Sequence, residues 1–375
     1  MATLDDLFAA RDAAVVADGV IAHFGEPMRE QRALAAGTAV APLGDRTVIE
    51  VTGDDRLSWL DSITSQAVAR LRGGDSTELL VLDPQGRVEH AAGVFEDGET
   101  TWLIADAGDA EPLAAWLARM VFRSRVTVTV RPELGLVGFF TGGAVAAAAT
   151  AFAAAPHGVP LIWADPWSAV QIGGHQYSEV VEHPSTGYAW RVAIVDADAA
   201  ASALADLPAA GALAAEALRV AAWRPRWAAE VDERSLPHEA DWIRSAVHLD
   251  KGCYRGQETV AKVHNLGHPP RRLAALQLDG SDDVLPAPGD AVFAGDDEVG
   301  HVTSAVRHYE DGPIALAILS RRAPLGDLVV RSDGAGIAAA QQVIVPADAG
   351  SVADVPRLTR LSRRPEGQDP RTAQA

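Results

Sequence analysis

Near residue 265 the chain stops alternating between helical and strand patterns and does not resume. His268-Pro269-Pro270 breaks any helix, because proline lacks the N–H and clashes with the preceding turn. Beyond it come short β-prone stretches: Arg272–Leu278, Ala291–Phe293, Gly300–His308, Ile314–Leu319, Leu328–Arg331 and Gln341–Val345. Gly, Pro and Asp separate them, which is the pattern of a small β-barrel. A helix of more than three turns inside 272–345 would contradict it.

Upstream, Thr47–Val51 is a β-branched strand, and Thr52-Gly53-Asp54-Asp55 looks like a hydroxyl-capped helix start. Leu79–Leu82 and Val88–Phe95 are strands joined by Asp83-Pro84-Gln85-Gly86, a good turn sequence. Leu113, Trp116, Leu117 and Met120 mark a helix face, with Pro112 near its first turn. From about 141 the order repeats: an Ala-rich helix, then strands near Leu161–Trp163, Ala169–Ile172, Ser178–Val181 and Tyr188–Val195. Several connections are too short for a helix crossover, so the pairing is expected to be mostly antiparallel and the class α+β. The expected domains are an α/β core over 1–265 in two interleaved parts, a barrel over 266–346, and a flexible tail over 347–375.

With 48% hydrophobic residues in 375, the chain can bury substantial cores. Its net charge of −19 works against loose attraction to nucleic acid or an anionic membrane. The start, Met-Ala-Thr-Leu-Asp-Asp, shows no signal-peptide pattern, and the Ala-rich run around 142–156 falls short of the ~20 apolar residues of a span. The expectation is a cytoplasmic protein without membrane or nucleic-acid partners. Cys253 is the single cysteine, so no disulfide forms within the chain. One thiolate also cannot house an iron–sulfur cluster, which takes about four.

The densest unusual segment runs from Asp250 to Lys262. Cys253 lies between Lys251 and Arg255, cations that favour the thiolate. Gly252 and Gly256 permit a sharp turn, and Gly256 opens a helix whose free N–H groups favour an anion. Lys251, Arg255, Lys262, Arg271 and Arg272 form a local cationic excess in an acidic chain. The alternative is a glycine-bounded turn around a small buried cysteine. Cys253, His264 and His268 have metal-ligand chemistry, but glycine and proline beside the histidines favour loop residues and no bound metal. Gly334-Ala335-Gly336 is a loop, and His238-Glu239 is either a polar pair near the site or a helix cap.

Lys251-Gly252-Cys253-Tyr254-Arg255-Gly256-Gln257-Glu258-Thr259-Val260 resembles the signature of the YgfZ family, within the aminomethyltransferase (GcvT-like) superfamily. The segments 43–60, 82–88, 218–220, 236–240 and 300–305 resemble that superfamily in the expected order. The resemblance implies a ring of two α/β subdomains with antiparallel sheets plus a C-terminal β-barrel, around a folate-sized hole. It implies a folate-binding accessory protein, holding tetrahydrofolate or a derivative, that supports assembly or repair of iron–sulfur client enzymes. Cys253 and Lys251 would carry the chemistry. Arg219, Trp223, Tyr254, Arg255, Gln257, Glu258 and Arg271 would bind the folate, with Gly252 and Gly256 shaping the motif. The alternatives are a tetrahydrofolate-dependent aminomethyltransferase-like enzyme and a non-catalytic scaffold. Two departures bear on the choice. Glu89-His90 stands where aminomethyltransferases carry an aspartate pair, which lowers aminomethyl transfer. Ala221-Ala222-Trp223 replaces the usual Glu-Ala-Gly pterin contact, leaving Trp223 as a stacking surface or as plain core.

Overall fold

The computed structural model describes residues 3–281 and 283–353. Its strands are β1 (Val15–Ala17), β2 (Val20–His23), β3 (Ala41–Pro42), β4 (Arg46–Thr52), β5 (Ser76–Leu82), β6 (Val88–Glu96), β7 (Thr100–Asp106), β8 (Thr127–Arg131), β9 (Leu134–Phe140), β10 (Ile162–Ala164) and β11 (Trp190–Asp196). Six more form the C-terminal part: β12 (Arg271–Leu278), β13 (Ala291–Ala294), β14 (Asp297–His308), β15 (Gly312–Ser320), β16 (Asp327–Ser332) and β17 (Ala335–Val343). The helices are α1 (Leu4–Ala9), α2 (Pro27–Ala35), α3 (Arg56–Ile63), α4 (Ala107–Arg119), α5 (Ala144–Phe152), α6 (Ala197–Ala205), α7 (Ala212–Ala221), α8 (Trp227–Glu230), α9 (Ile243–Ala246) and α10 (Gln257–Leu266).

Strand alternation builds the layers. In β9, Leu136 and Phe140 face one core while Val137 and Phe139 face another, and β5 divides Leu80 and Leu82 from Leu79 and Val81 in the same way. Two antiparallel sheets result, β10-β11-β9-β3 and β5-β6-β7-β4-β8. Their outer faces pack on helices: α5 and α6 cover the first, α3 and α4 the second. Their inner faces share one central core. The last six strands close into a barrel in the order β12-β15-β14-β13-β16-β17, filled by Ala274, Leu276, Val292, Val302, Leu319 and Val330. No helix occurs among the described residues of 271–345. The fold is therefore α+β with antiparallel sheets and a closed C-terminal barrel, as expected.

Several local expectations differ. Ala169–Ile172 and Ser178–Val181 are not strands; they belong to a long connection between β10 and β11. Their β-branched residues are instead surface-exposed, with Ile172 and Val181 almost fully so, and so have no sheet to join. α3 has Asp55 rather than Thr52 at its cap, and the Asp55 carboxylate pairs with Arg125 instead of closing the helix end. Pro112 lies inside α4, because that helix starts at Ala107. Residues 347–353, expected as part of a flexible tail, pack on the end of α10: Val352 and Ala353 donate to the His264 and Asn265 carbonyls. The rest of that tail lies outside the described residues.

Candidate functional site

Between the inner faces of the two sheets lies a cavity of about 340 Å³, within the size range of small-molecule sites. Trp163, Trp190 and Tyr188 line it from the first sheet's side, Trp227 and Trp242 from the segment after α7. Gly93 of β6 admits the closest of these: a Cβ there would fall 2.7 Å from the Trp163 ring, so only glycine lets that indole lie on the strand. The Trp163 ring is then fixed by its N–H donating to the Thr77 carbonyl at 2.7 Å.

The polar lining is built from arginine–carboxylate pairs. Arg224 Nε donates to Asp165 Oδ2 (3.0 Å) and its Nη2 to Glu78 Oε2 (2.7 Å). Arg226 joins Asp106 and Asp45, and Arg46 contacts Asp106 at 3.1 Å. Such buried pairs are balanced by their mutual attraction and hydrogen bonds. One atom is not. Glu78 is 3% exposed, its Oε2 also accepts from the Trp242 indole N–H (3.1 Å), and its Oε1 has no partner among the described residues. A buried carboxylate oxygen without a donor is costly, so the cavity favours a ligand that presents one.

Arg219 lines this cavity, but all five of its N–H groups are taken: by Glu216, by Glu230 on α8, by Ser304 on β14 and by the Arg224 carbonyl. It ties α7 to the barrel and has no donor left for a ligand. Trp223 is not among the lining residues. It is buried at φ +57 with its ring edge-on to His183, the core role rather than the stacking one. The aromatic walls come instead from Trp163, Trp190, Trp227, Trp242 and Tyr188. Their scatter over the chain left no local signal; the turn geometry after α7 and the sheet register bring them together.

The motif loop sits elsewhere. Cys253 is exposed, which removes the alternative of a buried packing thiol, and it does not line the cavity. The two flanking cations do not serve it. The Lys251 ammonium caps the end of α3, donating to the Thr64 (2.9 Å) and Gln66 (2.7 Å) carbonyls, and burial lowers its pKa to about 8. Arg255 pairs with Glu89 and lies over the Trp116 ring. Tyr254 is buried, and burial holds its hydroxyl above the ordinary range. Gln257 donates to the Lys251 carbonyl within the loop, and Glu258 is exposed. Gly256, at φ +83, caps α10, and a Cβ there would lie 2.6 Å from the Asp83 carbonyl oxygen. The loop is thus docked on the β5–β6 turn. Gly252 meets nothing within 4 Å.

The five cations do not converge on one anion site. Arg271 is held by Asp232 and Glu239, and Arg272 is fully buried, donating to the Ala323 carbonyl and to Gln341. Lys262 is exposed on α10. His238 and Glu239 serve structure: His238 is buried against the Val260 carbonyl, and Glu239 accepts from the Leu236 N–H and from Arg271. His264 is on α10 rather than in a loop, bonded to the Tyr177 hydroxyl at 2.8 Å. No group of three or more His, Cys, Asp or Glu side chains suited to a metal occurs among the described residues. Nor is any helix among them long and apolar enough to cross a membrane.

The arrangement of sheets and barrel has a counterpart among solved structures. The crystal structure of glycine cleavage system aminomethyltransferase T from Bartonella henselae superposes with a TM-score of 0.68. It covers 91% of this chain and 96% of that one, at 17% identity. The chain has the aminomethyltransferase T fold. At that identity the likeness concerns the fold alone. Aspartate kinase from Synechocystis, 8% identical over 76% of this chain and 40% of that one, gives a TM-score of 0.19, which carries no argument. No protein-family model matches the sequence.

Proposed function

We propose that this protein is a cytoplasmic folate-binding accessory factor that supports iron–sulfur enzymes through Cys253, as the YgfZ-like signature implies. The observation that carries the folate part is Glu78 Oε1, buried and without a donor among the described residues, inside a tryptophan-walled cavity. A pterin is flat and presents an amino group and a ring N–H side by side on one edge. Those donors suit a carboxylate, and the ring suits Trp163, Trp190 and Trp242. Tetrahydrofolate therefore fits the residues present. Glu78 would orient it, and the aromatic walls would exclude water from its ring. The arginines lining the cavity are already paired, so they leave no free cation there for the anionic glutamate tail, which would extend out of the cavity into solvent. Residues 1–265 would form the binding core and 266–346 a barrel that braces it through Arg219, Glu230 and Ser304.

Cys253 lies outside the cavity on an exposed loop, which suits chemistry with a partner protein rather than with the folate. The fold gives weight to a second reading, one-carbon transfer of the aminomethyl kind; Glu89-His90 in place of an aspartate pair counts against it. A scaffold whose cavity holds no folate is the third. The first is tested in cells that lack the protein. Wild type should restore iron–sulfur enzyme activities, whereas Cys253→Ala should accumulate normally and restore none. Full restoration by Cys253→Ala would overturn the role of the thiol.

A further inference from the structure

Exposed apolar residues gather around one part of the surface. Of the twelve large apolar side chains exposed among the described residues, six lie there: Val170, Ile172, Val180 and Val181 on the connection between β10 and β11, Leu266 at the end of α10, and Val352. Contacts hold these pieces together. The Tyr177 hydroxyl meets His264 of α10 at 2.8 Å, and the His175 ring centre lies 4.8 Å from that of His264. The Gly173 carbonyl accepts from the Leu249 N–H at 2.8 Å, which joins the same connection to the chain leading into Cys253. Apolar surface concentrated in this way marks a face that something covers.

The face is also acidic. Glu179, Glu182 and Asp250 are exposed on it and form no ion pair among the described residues. On the outer stripe of α10, Glu258 and Lys262 precede Leu266 at steps of four residues, so the stripe adds one charge of each sign. The segment that follows Ala353 has the complementary character. Residues 355–364 read Val-Pro-Arg-Leu-Thr-Arg-Leu-Ser-Arg-Arg: four arginines and no acid, with Leu358 and Leu361 among them. In a chain of net charge −19 this run is a local exception. It begins at the right place, because Val352 and Ala353 are hydrogen-bonded to the end of α10 at 3.0 and 3.2 Å. A chain spans at most about 3.5 Å per residue, so Arg357 can lie up to about 14 Å and Arg364 up to about 39 Å from Ala353. Val181, four residues past Tyr177, lies within about 14 Å of it by the same measure. The whole face is within reach.

We propose that residues 355–364 dock back on this face, with Leu358 and Leu361 against Ile172, Val180 and Val181 and the arginines against Glu179, Glu182 and Asp250. A segment tethered this closely acts at an effective concentration of about millimolar, so weak contacts suffice. The docked segment flanks the motif loop, because Asp250 is three residues from Cys253. A client protein approaching Cys253 across this face has to displace it, whereas a small reagent reaches the thiol past it. That consequence rests on the role proposed for Cys253; the docking does not.

Amide hydrogen exchange in the full-length protein tests the docking. The N–H groups of Glu179, Val180, Val181 and Glu182 have no hydrogen bond among the described residues, so uncovered they exchange as a free peptide does. With the segment docked, the peptide spanning 178–183 should exchange about tenfold more slowly, as when effective concentration exceeds the dissociation constant about tenfold. Arg357→Glu combined with Arg360→Glu, Arg363→Glu and Arg364→Glu should abolish that protection, and salt of about 1 M should weaken it. Cys253→Ala should keep it, so a failure of the thiol's role and a failure of docking are read separately. Free-peptide exchange in the wild type would overturn the proposal and leave the face to a partner protein. Equal protection in the charge-reversed variant would overturn it too. So would protection that grows with protein concentration, which assigns the face to a second copy of the chain.

Discussion

Two glycines of one motif should behave in opposite ways. Gly256 has φ +83, where an alanine side chain costs about 1–2 kcal/mol. A Cβ there also lies 2.6 Å from the Asp83 carbonyl oxygen and 3.0 Å from Gly86 Cα, both backbone atoms of a turn that cannot swing aside. Overpacking of that kind adds about 1–3 kcal/mol. Gly256→Ala should therefore destabilise by roughly 2–5 kcal/mol, the sum of those two terms. Gly252, four residues earlier, has nothing within 4 Å of its Cβ position and a φ outside the left-handed region. Gly252→Ala should change stability by no more than about 0.5 kcal/mol. Denaturant midpoints followed by tryptophan fluorescence compare the two, and limited proteolysis locates the opening at the 250–257 loop. Equal midpoints for the two variants would refute the docking of this loop on the β5–β6 turn.

Arg219→Ala should cost about 3–5 kcal/mol, because it strands buried Glu230 beside Ser304; a calorimetric midpoint within error of wild type would contradict that bracing role. Burial lowers the pKa of His183 to about 4 and of His238 to about 3, so between those values and about 6.5 the unfolded chain binds more protons than the folded one. Stability should then fall as pH drops from about 6.5 toward 4, at about 1.4 kcal/mol per pH unit for each histidine. Asp241, raised by burial to about 7, acts in the opposite sense over about 3.9 to 7 and offsets one of the two. His238→Gln should flatten the slope of denaturant midpoint against pH, and a midpoint that rises on acidification would contradict the assignment. Native Cys253, being exposed, should take up one equivalent of an alkylating reagent without denaturant, as mass spectrometry would show; a thiol that reacts only after unfolding would contradict its placement.

The barrel was legible in the sequence because Pro269-Pro270 ends the helical part sharply and Gly, Pro and Asp mark each later turn. The sheets were legible where apolar residues alternate or run unbroken, as in β5 and β9. Val180 and Val181 misled, since β-propensity describes fit to a pleated surface and no neighbouring strand offers one there. The motif loop also was legible as a unit, and its exposed cysteine is where the sequence suggested. What the residues beside Cys253 do was not. Lys251 and Arg255 are close to it along the chain, yet their long side chains end on α3 and on Glu89. Sequence distance sets where a Cα sits and says little about where a guanidinium or ammonium ends. The cavity was the least legible part. Glu78 is a lone acid just ahead of the apolar run Leu79–Leu82, a pattern that marks a strand and not a site. Only the fold brings it to Arg224 and Trp242, 146 and 164 residues away.

Titration calorimetry of tetrahydrofolate tests most directly whether the cavity takes a pterin through Glu78. Wild type and Cys253→Ala should bind saturably and alike, since the thiol lies outside the cavity. Glu78→Gln should bind roughly 10-fold to 100-fold more weakly, the loss of a hydrogen bond to a charged group. Absence of saturable binding by wild type, or equal affinity of Glu78→Gln, would contradict that role.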